Sequence, residues 1–248
     1  MSYKAYLNTP SSLAREASKY ILQNIDRLDR IKVHEKAKDD YVSSVDQSID
    51  AFIIEKLQTL YPEHTILTEE SGLINGTENS DYLWVIDPID GTNNFINGIP
   101  IFGISIALLY KNEPVVGVIY QPMTDELFSA SLGEGSKLNN VRIRITDNPN
   151  CIPCVLLSKI ENLPPAALVK KLPISVKYRI IGTAAISVAY QAAGRCQLFY
   201  AKNLKLWDIA AGIIIAKEAG ASVQYKSSTN FAFEDFTVGN SNLMTISL

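Results

Sequence analysis

The sequence contains few residues of the kinds that build disulfide frameworks and zinc centres. Its 248 residues include three cysteines, an odd number that does not form a secreted disulfide framework, and two histidines. The CxxC at Cys151–Cys154 has no second CxxC to accompany it and lies far in the sequence from both histidines. Because an isolated motif lacks the context of a redox or zinc site, we interpret it as two small residues entering a strand.

Long hydrophobic runs and an excess of positive charge are also missing. The longest apolar-rich run, Ile101–Tyr110, is far shorter than the roughly 18 residues of a membrane-spanning helix. The formal net charge of −3 gives no electrostatic reason to expect a nucleic-acid partner. The N-terminal residues MSYKAYLNTPSS include no apolar signal-peptide segment. We therefore expect a cytoplasmic protein without a membrane partner.

The first part of the chain predicts two helices. Apolar residues recur at helical spacing over 11–30, which predicts an amphipathic helix. A second helix is predicted to begin at Asp46 or Ser48 and to end before Pro62. The stretch between them, Lys36–Asp40, is interpreted as a charged, solvated connector.

The rest of the chain predicts two kinds of sheet. Apolar runs separated by turn signals over 101–145 predict an antiparallel meander. Strands then alternate with helices, which favours a second α/β layer. The change falls near Thr146–Pro153. We therefore predict an N-terminal α+β subdomain, 1–147, with most metal ligands, and a C-terminal α/β subdomain, 148–248.

The residues that carry chemistry are concentrated in the stretch Trp84–Pro100, WVIDPIDGTNNFINGIP. Its apolar run ends in two carboxylates, Asp87 and Asp90. A buried carboxylate must be paired or must hold a metal, and Mg²⁺ takes oxygen ligands together with substrate phosphate. Gly91 lets the backbone approach a ligand, and Thr92 begins a predicted short helix whose free N–H groups suit an anion. Metal and phosphate in one turn indicate phosphoryl-transfer chemistry.

Other acidic signals have plain structural interpretations when each is taken alone. Glu69 and Glu70 read as exposed loop charge, and Asp208 reads as a helix N-cap. The order of these acidic motifs along the chain is more specific than any one of them. The order is Asp40 and Asp46, then Thr68–Gly72, then Asp87–Thr92, then Trp207–Gly212. This order resembles the inositol monophosphatase family of Mg²⁺-dependent, lithium-sensitive phosphatases over almost the whole chain. Two further segments are similar to that family, Gly133–Asn139 and Gly182–Arg195.

The resemblance implies a fold and a metal centre. The fold would be of the α/β (α+β) class, a layered α-β-α-β-α sandwich that usually pairs as a homodimer. Two or three Mg²⁺ ions would be held in each active site. The implied ligands of one ion are Glu69, Asp87 and the carbonyl of Ile89; those of a second are Asp87, Asp90 and Asp208.

The resemblance also implies roles in catalysis. Glu69 and the Thr92–Asp46 pair would orient and deprotonate the water that hydrolyses a phosphate monoester, without a phospho-enzyme. Asp40 would support the site from behind the ligands or face the dimer contact. The implied substrate contacts are Asp90, Gly91, Thr92, Gly182, Thr183, Ala184 and Lys205.

The substrate itself stays open at the level of sequence. Many members of the family carry a glutamate that binds sugar hydroxyls where this chain has Ala201. Lys202 and Lys205 could contact a second phosphate, although solvated surface lysines are the plainer interpretation. The expected substrate is a small phosphate ester, inositol 1-phosphate or a similar polyol phosphate. The alternatives are a fructose-1,6-bisphosphatase, a 3′(2′),5′-bisphosphate nucleotidase, or a scaffold factor that binds the transcription machinery.

Overall fold

Layers of helices alternate with two large β-sheets. The computed structural model describes residues 2–37, 40–145, 152–160, 162–172, 175–229, 231–240 and 244. Within these ranges the helices are α1 (Asn8–Asn24), α2 (Ser44–Leu60), α3 (Thr92–Ile96), α4 (Ala166–Val169), α5 (Ala184–Ala192) and α6 (Leu206–Glu218). Short 3₁₀ helices lie at Lys4–Leu7 and Ile25–Arg30.

The larger sheet has eight strands in the order β10-β9-β8-β7-β6-β5-β3-β4. Its strands are β3 (Thr65–Thr68), β4 (Gly72–Ile74), β5 (Tyr82–Asp90), β6 (Gly103–Tyr110), β7 (Glu113–Gln121), β8 (Glu126–Ser131), β9 (Gly135–Leu138) and β10 (Val141–Ile143). From β5 to β10 each strand pairs antiparallel with the next, which confirms the predicted meander. The exception is β3, which lies parallel to β5.

The smaller sheet has five strands in the order β12-β11-β13-β15-β14, and a separate hairpin joins β1 to β2. The smaller sheet's strands are β11 (Cys154–Leu157), β12 (Lys177–Ile180), β13 (Leu198–Lys205), β14 (Ser222–Thr229) and β15 (Ala232–Gly239). The hairpin strands are β1 (Val33–Ala37) and β2 (Asp40–Ser43). Strands β12, β11 and β13 run parallel, so their carboxyl ends meet at one edge of the sheet.

The two faces of the larger sheet bury different helices, because successive side chains of a strand point to opposite faces. On β5, Trp84 and Ile86 pack with α1 and α2, whereas Val85 packs with α5 and α6. The same α5–α6 cluster continues onto one face of the smaller sheet, where it includes Phe199 and Phe236. The opposite face of that sheet packs against α4. The predicted α-β-α-β-α layering is therefore confirmed.

Two local predictions are corrected by the structure. The predicted helix over 11–30 is α1 followed by a 3₁₀ segment, because Arg27 has non-helical backbone angles of φ −136° and ψ 37°. The predicted connector at Lys36–Asp40 belongs to the β1–β2 hairpin, in which His34 pairs with Val42. The sequence did not indicate this hairpin, because β1 is exposed and charged and shows no apolar alternation. Lys38 and Asp39 lie outside the described residues.

The fold does not test every prediction made from the sequence. The division of the chain at 147/148 stays a prediction, although α5 and α6 pack in one cluster with both sheets. In the CxxC motif, Cys151 lies outside the described residues, while Cys154 is a half-buried free thiol. No helix in the described ranges is both long and apolar enough to cross a membrane.

Candidate active site

The acidic turn forms where β5 ends beside β3. Because β3 and β5 are parallel, Thr68 lies opposite Ile86, and the backbone N–H of Glu69 donates to the carbonyl of Ile86 at 3.2 Å. Glu69 and Asp87 therefore leave the same edge of the sheet. The pairing of β5 with β6 is irregular between Asp87 and Asp90, so the strand bends as it delivers the second carboxylate.

Asp208 reaches the same place from the first turn of α6. Its carboxylate accepts a 2.7 Å hydrogen bond from the backbone N–H of Lys205 and so caps the helix. The hydroxyl of Ser105, on β6, donates to the carbonyl of Trp207 at 3.3 Å and ties the helix start to the larger sheet. The N-cap prediction for Asp208 is wrong in its position, because Lys205 is the N-cap and Asp208 is the third residue of the helix. The hydrogen bond back to Lys205 is compatible with a role of Asp208 in the site.

These groups line one cavity of about 380 Å³. Its walls include every carboxylate and the carbonyl residue expected as metal ligands, which are Glu69, Asp87, Ile89, Asp90 and Asp208. The expected substrate contacts Gly91, Thr92, Gly182, Thr183 and Ala184 line it as well. Lys205 is not among the lining residues, whereas Tyr41, Ser158 and Lys159 are. The sequence offered no signal for those three, because Tyr41 comes from the β1–β2 hairpin and the other two follow β11, segments far in sequence from the acidic motifs.

Each carboxylate of the cavity has a different set of partners. Glu69 accepts a 2.9 Å hydrogen bond from Lys36, which also binds Glu70 at 2.9 Å. Asp90 accepts from the Thr183 hydroxyl and from two backbone N–H groups at the start of α5, at 3.2 and 2.7 Å. Asp87 differs, because its buried Oδ1 has no hydrogen-bond partner among the described residues.

Burial and mutual repulsion raise the pKa values of these carboxyl groups. Burial is the main cause for Asp87, whose pKa is raised well above its usual value with further contributions from Glu69, Asp90 and Asp208. The pKa of Asp208 is raised in the same way. Burial raises the pKa of Asp90 to about 6 despite its three hydrogen bonds. Like charges that are buried together therefore need a counter-charge to remain ionised at neutral pH.

The donor set fits a hard divalent cation. All of the candidate ligands are oxygens, and Asp87 has a buried oxygen that no protein donor satisfies. Among the described residues, no three Asp, Glu, His or Cys side chains already form a metal-binding group. In this structure Glu69 is hydrogen-bonded to Lys36, Asp90 to the start of α5 and Asp208 to the backbone of Lys205.

Thr92 and Asp46 are joined as the sequence implied. The Thr92 hydroxyl lies 3.0 Å from the Asp46 carboxylate and 2.9 Å from the carbonyl of Ile89. Asp46 also accepts from the backbone N–H of Ser43 at 3.1 Å, in a capping box that starts α2. Burial raises the pKa of Asp46 to about 6. The side chain of Asp40 lies outside what the structure describes.

Asn94 is a residue of the site that the sequence analysis did not single out. Its side-chain N–H₂ donates to the carbonyls of Ile101 at 2.6 Å and Ile181 at 2.7 Å, and so joins the acidic turn to the turn after β12. Gly182 follows with φ +77°, and a Cβ atom there would lie 2.8 Å from Asn94. Only glycine fits this contact without strain.

Comparisons with known proteins agree with this geometry. The profile of the inositol monophosphatase family matches residues 3–246. The Nus factor SuhB of Haemophilus influenzae is 40% identical over 247 residues, covering 96% of this chain and 87% of the relative. The structure of the extragenic suppressor protein suhB of Bartonella henselae has a TM-score of 0.82 at 32% identity, covering 97% and 98%. An IMPase of Thermotoga maritima has a TM-score of 0.80 at 30% identity, covering 94% and 91%.

Proposed function

The chain belongs to the inositol monophosphatase family, and we propose that it is a Mg²⁺-dependent phosphomonoesterase acting on inositol 1-phosphate or a similar polyol or sugar phosphate. The observation that carries this proposal is the convergence of four carboxylates and one carbonyl on a single cavity. A protein that used the fold only as a scaffold would have no need to bury so much like charge.

The family generally uses Mg²⁺, and we assign the ligand roles from the residues of the cavity. Glu69, Asp87 and the carbonyl of Ile89 would hold one ion, while Asp87 would share a second with Asp90 and Asp208. The buried oxygen of Asp87 that no protein donor satisfies supports its assignment as a metal ligand. When bound, Mg²⁺ supplies positive charge that acidifies water and stabilises the departing oxygen. Lys36 binds Oε1 of Glu69, so Oε2 is the atom that would ligate the cation.

The Thr92–Asp46 pair would move the proton. When the Thr92 hydroxyl donates to Asp46, its oxygen lone pairs can accept a hydrogen bond from a water in the cavity. The proton of that water then passes through Thr92 to Asp46, whose pKa of about 6 suits a base at neutral pH. Glu69 would orient the same water from the other side.

The phosphate group would lie against the start of α3. Gly91 and Thr92 line the cavity, and Gly91 has φ +95°, a conformation that aims successive backbone N–H groups in one direction. The N–H groups of Ala184 and Ala185 already donate to Asp90. The Gly182–Ala184 turn would therefore act on the substrate mainly by holding Asp90 in place.

A phosphate-release assay tests the proposal. Purified protein with Mg²⁺ should release phosphate from at least one of inositol 1-phosphate, fructose 1,6-bisphosphate and 3′-phosphoadenosine 5′-phosphate. Asp87→Asn should lower the rate by at least about 10³-fold, because both ions lose a ligand. Asp81→Asn is the matched control, since Asp81 is exposed just before β5. Equal activity in the two variants, or no release from any of the three esters, would contradict the proposal.

A second candidate function comes from the names of the relatives. Proteins 37–40% identical to this chain are called Nus factor SuhB, so we also propose an association with the transcription machinery. Asp90→Asn separates the two functions. A variant without turnover that still restores growth to a strain lacking the gene would favour the association, whereas loss of both would favour catalysis. Pairing as a homodimer is proposed as well, and analytical ultracentrifugation tests it.

A further inference from the structure

The part of the cavity that would receive the phosphate is walled by two turns from different sheets. One turn consists of Gly91 and the start of α3, and it follows β5 of the larger sheet. The other is Gly182–Ala184, which follows β12 of the smaller sheet. Asn94 and Ile181, which meet where the turns approach each other, are 87 positions apart in the chain. The spacing of the two turns therefore depends on the contacts between them.

Asn94, the third residue of α3, makes a neutral contact between these turns. It is buried, and its side-chain N–H₂ donates to the carbonyls of Ile181 at 2.7 Å and Ile101 at 2.6 Å. An amide has two N–H bonds, so this pair of acceptors uses both. The backbone carbonyl of Asn94 accepts from the N–H of Ile99 at 2.8 Å. Asn94 therefore holds three segments together, which are α3, the loop that leads to β6, and the turn after β12.

Two glycines bring the turns into close contact around Asn94. A Cβ atom at Gly182 would lie 2.8 Å from the side-chain amide of Asn94. A Cβ atom at Gly91 would lie 3.3 Å from Cβ of Thr183. Both distances are shorter than an ordinary van der Waals contact. The turns therefore already approach each other as closely as their atoms allow, and the hydrogen bonds of Asn94 keep them from moving apart.

Asp90 makes a second polar contact between the turns, and this one is charged. Its carboxylate accepts from the Thr183 hydroxyl and from the backbone N–H groups of Ala184 and Ala185. Under the proposed function the same carboxylate also ligates Mg²⁺, so it has to serve the ion and α5 together. The Asn94 amide is neutral and is not one of the proposed ligands. Its hold on the two turns is therefore the same with and without the metal.

We infer that Asn94 is a positioning residue for phosphate hydrolysis, which keeps the phosphate-binding N–H groups of α3 aligned with Asp90 and the ion that Asp90 would hold. It acts through the two turns and takes no part in the proton transfer. This inference rests on the proposed phosphatase function, which it deepens. A displacement of about 1 Å can cost about 10²-fold in rate, because the reacting groups lose their alignment. Loss of the amide should therefore lower kcat, whereas every group that binds the ground-state ester stays present.

Steady-state kinetics with saturating Mg²⁺, on the ester that the wild type hydrolyses fastest, test this inference. Asn94→Ala should lower kcat about 10- to 100-fold and change KM by less than about threefold. Asn97→Ala is the matched control, because Asn97 is exposed at the end of the same helix and its side chain donates to the carbonyl of Asn93 at 2.7 Å. It should keep kcat within about twofold. Rates are expressed per folded molecule, so that a loss of stability does not count as a loss of catalysis.

Gly182→Ala tests the same contact from the other turn, and it decides the matter if Asn94→Ala does not fold. Its Cβ atom would push against the Asn94 amide, so kcat should fall about tenfold. Gly194→Ala is its control, because Gly194 has a similar φ of +72° and its Cβ atom would meet no described atom within 4 Å. In the double variant of Asn94→Ala and Gly182→Ala the two losses should not add, because the amide that the new Cβ atom strikes is gone.

The outcomes separate this inference from the function on which it rests. The role of Asn94 would be overturned, with the phosphatase intact, by an unchanged kcat in folded Asn94→Ala, by a loss confined to KM, or by equal losses in Gly182→Ala and Gly194→Ala. If the wild type turns over no ester, the proposed function fails. Hydrogen exchange followed by mass spectrometry then decides separately. Faster exchange of both turns in Asn94→Ala than in Asn97→Ala supports the hold of Asn94 on them, and unchanged exchange over 181–185 overturns it.

Discussion

Replacing Asp87 with asparagine should stabilise the metal-free protein and abolish its stabilisation by Mg²⁺. Asp87 is 2% exposed, and one of its oxygens has no partner among the described residues. Glu69, Asp90 and Asp208 all raise its pKa further beyond the effect of burial. Asparagine has nearly the same shape, carries no charge, and brings an N–H₂ group that can donate to the neighbouring carboxylates.

The size of the effect can be worked from the neighbouring Asp90. Its pKa rises from 3.8 to about 6 although three donors offset its burial, and roughly two pKa units correspond to about 3 kcal/mol at neutral pH. Asp87 lacks such donors on one oxygen. We therefore expect Asp87→Asn to raise the free energy of unfolding by about 1–3 kcal/mol, or roughly 2–10 °C in Tm for a chain of this length.

The response to Mg²⁺ should change in the opposite direction. A cation that binds only the folded state at about 100 times its Kd stabilises by roughly 2.7 kcal/mol. The wild type should therefore melt some 5–10 °C higher with saturating Mg²⁺ than with EDTA. Asp87→Asn should lose most of this shift, because Asp87 is the ligand that both ions are expected to share.

Thermal unfolding followed by circular dichroism, with EDTA and with Mg²⁺, measures both effects. Asp208→Asn serves as a second variant, and Asp81→Asn controls for the loss of an exposed charge. The reasoning is refuted if Asp87→Asn and Asp208→Asn are both strongly destabilised without metal. It is refuted as well if Asp87→Asn keeps the full shift with Mg²⁺.

Three further predictions concern pH, the turn that contains Glu69 and Ser71, and the core. Because burial raises the folded-state pKa of Asp46 and Asp90 from 3.8 to about 6, the metal-free protein should lose stability as pH rises from 4 to 6, and urea unfolding at each pH checks this. Asp50→Ala should weaken Mg²⁺ binding several-fold in calorimetry, because Asp50 accepts a 2.5 Å hydrogen bond from the turn that presents Glu69; an unchanged affinity would rule this out. Gly117→Ala should destabilise by about 1–3 kcal/mol in chemical denaturation, since its Cβ atom would lie 2.5 Å from a carbonyl oxygen of α6.

Much of the fold was predictable because local patterns repeat. The apolar runs of 101–145 alternate with turn residues and correctly indicated the antiparallel meander, although β9 (Gly135–Leu138) lies where a turn was predicted. The apolar run before Asp87 correctly indicated a buried strand. Helix α2 was predicted to begin at Asp46 or Ser48, whereas it begins at Ser44, after a capping box formed by Ser43 and Asp46. The β1–β2 hairpin was missed, because the exposed, charged strand β1 lacks apolar periodicity.

The candidate site was predictable only as a set of residues. The order of the acidic motifs indicated which carboxylates belong together, since each motif keeps its residue types at fixed spacing. Their partners did not follow from spacing. Several contacts of the site join segments that are far apart in the chain. They are the ion pair of Lys36 with Glu69, the hydrogen bonds from the start of α5 to Asp90, and the two hydrogen bonds of Asn94.

The sequence by itself determined the family, the strand-and-turn pattern that carries Asp87 and Asp90, and the oxygen chemistry of the site. These depend on residue type and on neighbours a few positions away. Only the tertiary structure decided that Lys159, and not Lys205, lines the cavity. The position of a side chain across a cavity depends on how the two sheets pack against α5 and α6. That packing depends on contacts made along the whole chain, which local sequence patterns do not contain.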